Sequence, residues 1–268
     1  MNLLTHRDTK LKKRYDLGIV LSGGGVRGFA HIGVLKALEE SGFYPTAISG
    51  VSSGAVVGAL YADGYKPDEI YSIFKQKGFF KFLKLGLPRT GLMKLSGLID
   101  MLNTNLQAQT FQELGKKLFV TATDFTNGRE AVFQQGDLIK PIFASSSIPV
   151  LMSPVEINGN TYVDGGLMNN LPMDPLKGKC NKLIAVHVNP IGPKTEFNNL
   201  IDIAERTFHI SVTGHLYDTK KQCDLFIEPS GLEEYNILNV YKAEEIYNLG
   251  YEYAHQLLLT KKESIKQG

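Results

Sequence analysis

Cysteine is scarce in this chain. There are two, Cys180 and Cys223, each just before an apolar run, with no Cys-x-x-Cys pair and no histidine cluster beside them. That excludes a disulfide framework, argues against a metal site, and fits a reducing cytoplasm. Charge of one sign is scarce too. Lys and Arg number 29 against 27 Asp and Glu, so the net charge is +2 and no global field calls for nucleic acid. Long apolar runs are missing. Residues 1–14 are polar and basic, without the apolar segment of a signal peptide, and no stretch is long enough to span a bilayer. Repeats, low-complexity segments and linkers are absent as well. With 268 residues and 43% hydrophobic content, the chain reads as one domain, residues 15–268, behind a flexible basic arm, residues 1–14.

What is present alternates between strand and helix patterns. Leu17–Leu21 is a continuous apolar run, as expected of a strand buried on both faces. A glycine loop follows, then Ala30, Val34, Ala37 and Leu38 at helical spacing up to Gly42. Ala47–Ser49 predicts a second strand, and Ala55, Val56, Ala59 and Leu60 a second helix ending at Gly64. Strand, loop, helix, strand, turn, helix implies a parallel sheet and an α/β fold. Pro67-Asp68-Glu69 opens a third helix, reaching about Gln76. Asn127-Gly128 and Asn158-Gly159 mark hairpins. Leu183–Val188 and Leu225–Ile227 predict later strands, and residues 198–217 and 242–262 late helices. From Ile70 to Ile99 there is no acid, while lysines alternate with phenylalanine and leucine. Residues 75–105 therefore read either as a lid or lipid-facing segment, or as a peripheral helix pair with its aromatics inward.

The chemistry concentrates in three places. Gly50-Val51-Ser52-Ser53-Gly54 fits Gly-x-Ser-x-Gly, with Ser52 on a sharp strand-to-helix turn and glycines Gly50 and Gly54 keeping its hydroxyl open. The helix N-terminus there favours developing negative charge. Ser52 is thus a candidate nucleophile; the alternative is a Gly/Ser-rich turn. Gly23-Gly24-Gly25 can point backbone N–H groups into one small concavity, an oxyanion site, with Arg27 adding charge or holding the loop. Gly23, Gly25 and Gly28 also satisfy the dinucleotide fingerprint Gly-x-Gly-x-x-Gly. That fingerprint needs an acid at the end of the next strand, and Ser49-Gly50-Val51-Ser52 supplies none, which disfavours a nicotinamide oxidoreductase. Asp164 ends a strand ahead of Gly165 and Gly166 and is the candidate base, provided burial raises its pKa; the alternative is an Asp-Gly turn. A Ser52–Asp164–His187 triad has the α/β-hydrolase order, but His187 lies inside an apolar strand and reads first as a core histidine. His31 reads as helix packing.

Ser22-Gly23-Gly24-Gly25-Val26-Arg27-Gly28, Gly50-Val51-Ser52-Ser53-Gly54 and Asp164-Gly165-Gly166 together resemble the bacterial patatin-like phospholipase family. His31–Leu38, and Ala144-Ser145-Ser146-Ser147-Ile148-Pro149 ahead of Tyr162, add to the likeness, which covers about residues 16–190. The resemblance implies a three-layer α/β/α fold with a mainly parallel sheet. It also implies a serine–aspartate acyl hydrolase without a catalytic histidine, Ser52 as nucleophile, Asp164 as base and Gly23, Gly24 and Gly25 as oxyanion hole. No metal or organic cofactor is expected. The expected partner is a lipid substrate, with peripheral contact at the inner face of a membrane and a cytoplasmic location. A non-catalytic lipid-binding module is the other class of reading, disfavoured because Ser52 and Asp164 are both intact.

Overall fold

The structure, a computed structural model, describes residues 13–75, 96–193, 195–197, 200–213, 220–237 and 240–267. Strand β1 (Tyr15–Leu21) is buried from Leu17 onward and sits at the centre of the sheet. It pairs in parallel with β2 (Ala47–Val51) on one side and β7 (Cys180–Val186) on the other. β3 (Lys117–Asp124) extends the sheet in parallel beyond β2, and β8 (Leu225–Ile227) beyond β7. The remaining strands are antiparallel and gathered at one side: β4 (Arg129–Phe133) on β3, and the hairpin β5 (Val155–Ile157) and β6 (Asn160–Asp164), with β6 also on β3. Both hairpins turn where Asn-Gly predicts, with Gly128 at φ 63°, Asn158 at 50° and Gly159 at 81°.

The two-residue period of the strands divides the core. Ile19, Leu21, Leu118, Val120, Ile184 and Val186 face one cluster, while Val20, Phe119, Leu183 and Ala185 face another. Burial on both faces is why these strands read as continuous apolar runs rather than alternating ones. The first face is covered by α1 (Phe29–Glu40), α2 (Ser53–Ala62), α3 (Pro67–Lys75) and α4 (Ser96–Asn105), the second in part by residues 171–180. The result is a three-layer α/β/α fold with a mostly parallel sheet. α5 (Ile139–Ser145) and α6 (Leu200–Thr213) lie toward the antiparallel side, and α7 (Ala243–Gln267) runs along α1. α1 and α7 meet backbone to backbone: a Cβ on Gly33 would lie 2.2 Å from the Tyr247 carbonyl, and one on Gly250 2.4 Å from that of Ala30. α1 is consequently buried almost all round, which explains its weakly amphipathic sequence.

Residues 1–12 of the arm expected over 1–14, and residues 76–95 of the basic apolar stretch, lie outside the described residues. At the end of that stretch, α4 is part of the core through Leu98, Met101 and Leu102. No described helix is long and apolar enough to cross a membrane.

Candidate active site

The chain goes from β1 to β2 on one side and comes back to β7 on the other. In such sheets a crevice opens beyond the carboxyl ends of the strands at this point. The glycine loop and the Ser52 turn both emerge there. Gly23 N–H donates to the Asn170 carbonyl at 3.4 Å, Val26 N–H to that of Ile237 at 2.8 Å and Arg27 N–H to that of Gly24 at 3.1 Å. No acceptor is found among the described residues for the N–H of Gly24 or of Gly25. The loop touches the elbow directly, since a Cβ on Gly23 would lie 3.2 Å from Ser52 Cβ.

Ser52 caps α2 at φ 52° and ψ −125°, a conformation L residues rarely adopt. Such a position costs on the order of 1–3 kcal/mol and persists only where the surroundings enforce it. Here they do. A Cβ on Gly50 would lie 2.6 Å from the Gly54 carbonyl, and one on Gly54 2.3 Å from that of Leu21. The Ser52 carbonyl accepts from Ala55 and Val56, and its N–H donates to Ser145 Oγ at 2.8 Å.

Strand register brings Asp164 to the same place. β4 occupies one edge of β3 along Val120–Asp124, so β2 and β6 share the other. β2 ends with Val51 opposite Thr121, and β6 takes over with Asp164 opposite Ala122. The residue after Val51 is Ser52. Asp164 is 1% exposed, with its Oδ1 accepting the Gly166 N–H at 2.8 Å and its Oδ2 without a hydrogen-bond partner among the described residues. Burial pushes its pKa up to about 7, against the opposing influence of the Ser52 hydroxyl and the Gly166 N–H.

The other sequence candidates separate here. Arg27 is buried and donates to the carbonyls of Tyr235, Pro190 and Glu233 and to Asn189 Oδ1, so it ties the loop to the segments that cover it. Gly28 allows close packing, its Cβ position lying 2.5 Å from Ser53 Cβ. Gly165 lies against the Thr121 carbonyl, and Gly166 against Asn170 Oδ1 and Asp164 Oδ1. His31 donates Nε2–H to the Ser22 carbonyl at 2.8 Å, and burial lowers its pKa to about 4, so it is neutral. His187 stands one residue beyond β7 rather than inside the strand, because pairing with β1 ends at Leu21 opposite Val186. Its Nδ1 meets Glu228 Oε2 at 2.8 Å, and its buried Nε2 has no hydrogen-bond partner among the described residues. Neither nitrogen bonds Ser52 or Asp164.

Two residues beside the site gave no signal of their own in the sequence. Asn170 touches both glycine segments, and Ser145 touches the elbow. A serine triplet closing a short helix is a common ending, and only the contacts single out its first member.

The family of patatin-like phospholipases matches residues 19–177, which contain the glycine loop, the elbow and Asp164. The chain belongs to the patatin-like phospholipase family. A lysophospholipase NTE1 of Meyerozyma guilliermondii is 29% identical over 93% of this chain and 20% of its own length. An NTE family protein of Mycobacterium bovis is 31% identical over 75% of this chain and 60% of its own. This patatin-like chain therefore spans only part of either relative. Among solved structures, VipD of Legionella pneumophila shares the fold with a TM-score of 0.57 and 16% identity, over 92% of this chain and 67% of that one.

Proposed function

We propose that this chain hydrolyses carboxylic esters of (lyso)phospholipids or related lipids through an acyl-Ser52 intermediate. Asp164 takes the proton of the Ser52 hydroxyl as Oγ attacks the acyl carbonyl carbon. The carbonyl π electrons move to oxygen, and that oxyanion is held by the Gly24 and Gly25 N–H groups, which have no other acceptor among the described residues; Gly23 N–H is partly drawn to Asn170. Collapse expels the alcohol or lysolipid, which recovers the proton from Asp164. Water then gives a proton to Asp164 and attacks the acyl-enzyme; as the acyl–Oγ bond breaks, Asp164 returns that proton to Ser52 Oγ and the fatty acid leaves.

The observation that carries this reading is the handover from β2 to β6 along one edge of β3, which sets Val51 and Asp164 against consecutive residues. A pKa raised to about 7 makes Asp164 a far better base than an ordinary carboxylate, and turnover should rise with pH through that region. The lipid part is supported by exposed apolar side chains near the Asp164 loop. α6 packs there and leaves Leu200, Ile203 and Ile210 in solvent, and Val150 and Met168 are exposed as well. The likeness to a lysophospholipase over most of this chain points the same way. With Cys180 and Cys223 free, the reading places the enzyme in the cytoplasm, working at a lipid surface.

The test is hydrolysis of a short p-nitrophenyl ester by wild type, Ser52→Ala, Asp164→Asn, the double variant and His187→Ala. Residues acting as one unit lose activity non-additively, so each dyad change should cost about as much as both, on the order of 10³-fold or more. His187→Ala should retain most of the turnover. Activity surviving in Ser52→Ala would refute the reading, and abolition by His187→Ala would replace the dyad with a triad.

A further inference from the structure

We propose that Ser145 is a positioning residue that holds the Ser52 elbow in register with Asp164; the inference rests on the reading of Ser52 as nucleophile. Three consecutive serines run from the last residue of α5 into the turn beyond it, and two of them make ordinary bonds back into the helix. Ser146 Oγ donates to the Ile142 carbonyl and Ser147 Oγ to that of Phe143, both at 2.9 Å. Ser145 is turned out of the helix. It is fully buried, and its Oγ donates to the Thr121 carbonyl at 2.6 Å and accepts the Ser52 N–H at 2.8 Å. A hydroxyl has one proton. Committing it to Thr121 fixes which side of the oxygen is left to receive Ser52.

Thr121 is also the junction of the site. It stands opposite Val51, and its carbonyl lies 2.3 Å from where a Cβ on Gly165 would be. The same serine turn reaches Asp164 through the backbone, because the Ser147 carbonyl accepts the Asp164 N–H at 2.8 Å. One turn of chain thus grips both members of the dyad, Asp164 by a carbonyl and Ser52 by a side chain. The carbonyl is present whatever residue stands there. The Ser145 oxygen is the part that sequence can remove. Without it, the Ser52 N–H is a buried donor with no acceptor, and the elbow loses a bond that opposes relaxation of its positive φ.

The experiment compares wild type, Ser145→Ala, Ser146→Ala and Ser52→Ala by three readouts: labelling of the serine by a fluorophosphonate, kcat and KM on a p-nitrophenyl ester, and the pH profile of turnover. Displacing a nucleophile by a fraction of an ångström to an ångström costs roughly 10- to 100-fold. Ser145→Ala should lose that much in kcat and labelling rate with KM little changed. Its acidic limb should also move to higher pH, because Asp164 loses part of the support that the Ser52 hydroxyl gives its charged form. Ser146→Ala, which removes the same group from the same turn, should behave as wild type. Ser145→Thr, keeping the oxygen, should restore the pH profile. If Ser145→Ala fails to fold, Ser145→Cys, which keeps the volume and weakens the acceptor, is read in its place. A folded Ser145→Ala or Ser145→Cys with the kcat, labelling rate and acidic limb of Ser146→Ala overturns the inference while leaving Ser52 as nucleophile. Full labelling and turnover in Ser52→Ala would overturn the nucleophile and this inference with it.

Discussion

The turn after β1 and the turn after β2 both need a residue at positive φ, and they meet the need differently. In the first the residue is Gly25, at φ 56°, where a Cβ would also lie 2.4 Å from the Ile237 carbonyl. In the second it is Ser52, at φ 52°. The glycine turn adopts its shape without a steric penalty, and among the described residues its Gly24 and Gly25 N–H groups have no acceptor. The serine turn carries strain, has its N–H taken by Ser145, and presents a hydroxyl instead. Two turns of similar backbone angle, side by side at the ends of neighbouring strands, thus expose opposite chemistry. One offers N–H donors, the other a hydroxyl oxygen, which under the proposed function are the oxyanion site and the nucleophile. Conformation alone does not separate the two turns; the atoms each presents do.

Gly54→Ala should break the comparison most severely. Its Cβ would lie 2.3 Å from the Leu21 carbonyl and 2.6 Å from that of Ser22, backbone atoms that cannot step aside, so the elbow must part from the glycine loop. Overpacking of this kind costs about 1–3 kcal/mol or more. A lower Tm together with loss of nearly all esterase activity is the expected result.

Protonation of Asp164 comes next. Its folded pKa is about 7 and its ordinary value 3.8, so the folded state holds the proton more tightly than the unfolded chain does. The associated stability is fully present below about pH 4 and is lost as pH rises through about 7, by up to roughly 4 kcal/mol. Asp164→Asn does not titrate. Urea denaturation at pH 5 and pH 8.5 should show the variant gaining on wild type as pH rises, while remaining inactive. A gap that does not widen with pH would mean that Asp164 is not buried as described.

Gly24→Ala should be milder. Gly24 has extended φ, and its Cβ would meet the tip of the Val188 side chain at 2.9 Å, so the fold survives while the loop shifts. A loss of roughly 10-fold in kcat, smaller than that of a missing oxyanion donor, is expected in steady-state kinetics. Smallest of all is Ser53→Ala. The Ser53 hydroxyl is buried with no hydrogen-bond partner among the described residues, so removing it should leave turnover unchanged and Tm the same or slightly higher.

Much of this was legible before any coordinates. The glycine at position 42 ends α1, Pro67 opens α3, and both Asn-Gly pairs turn hairpins, because each of these signals acts through backbone angles of the residue itself. The elbow was legible for the same reason: Gly50 and Gly54 are local requirements of a bare, sharp turn. Other roles were not. Arg27 reads equally well as a charge for the site or as a strut, and only its bonds to residues 189–190 and 233–235 decide for the strut. His187 has the right order for a triad, and only the structure shows that neither of its ring nitrogens bonds Ser52 or Asp164. Ser145 is one of three identical neighbours in the chain, and it differs from them only in where its hydroxyl points.

The sequence by itself therefore determined the alternating strand and helix pattern, the two special turns and the acid before paired glycines. These rest on periodicity and on torsion angles, which neighbouring residues control. The tertiary structure decided which of these pieces meet. Ser52 and Asp164 are 112 positions apart, and they come together because β6 continues the edge of β3 where β2 stops. Strand pairing is a contact between distant segments, and so are the burial that raises the Asp164 pKa and the serine turn that holds the elbow.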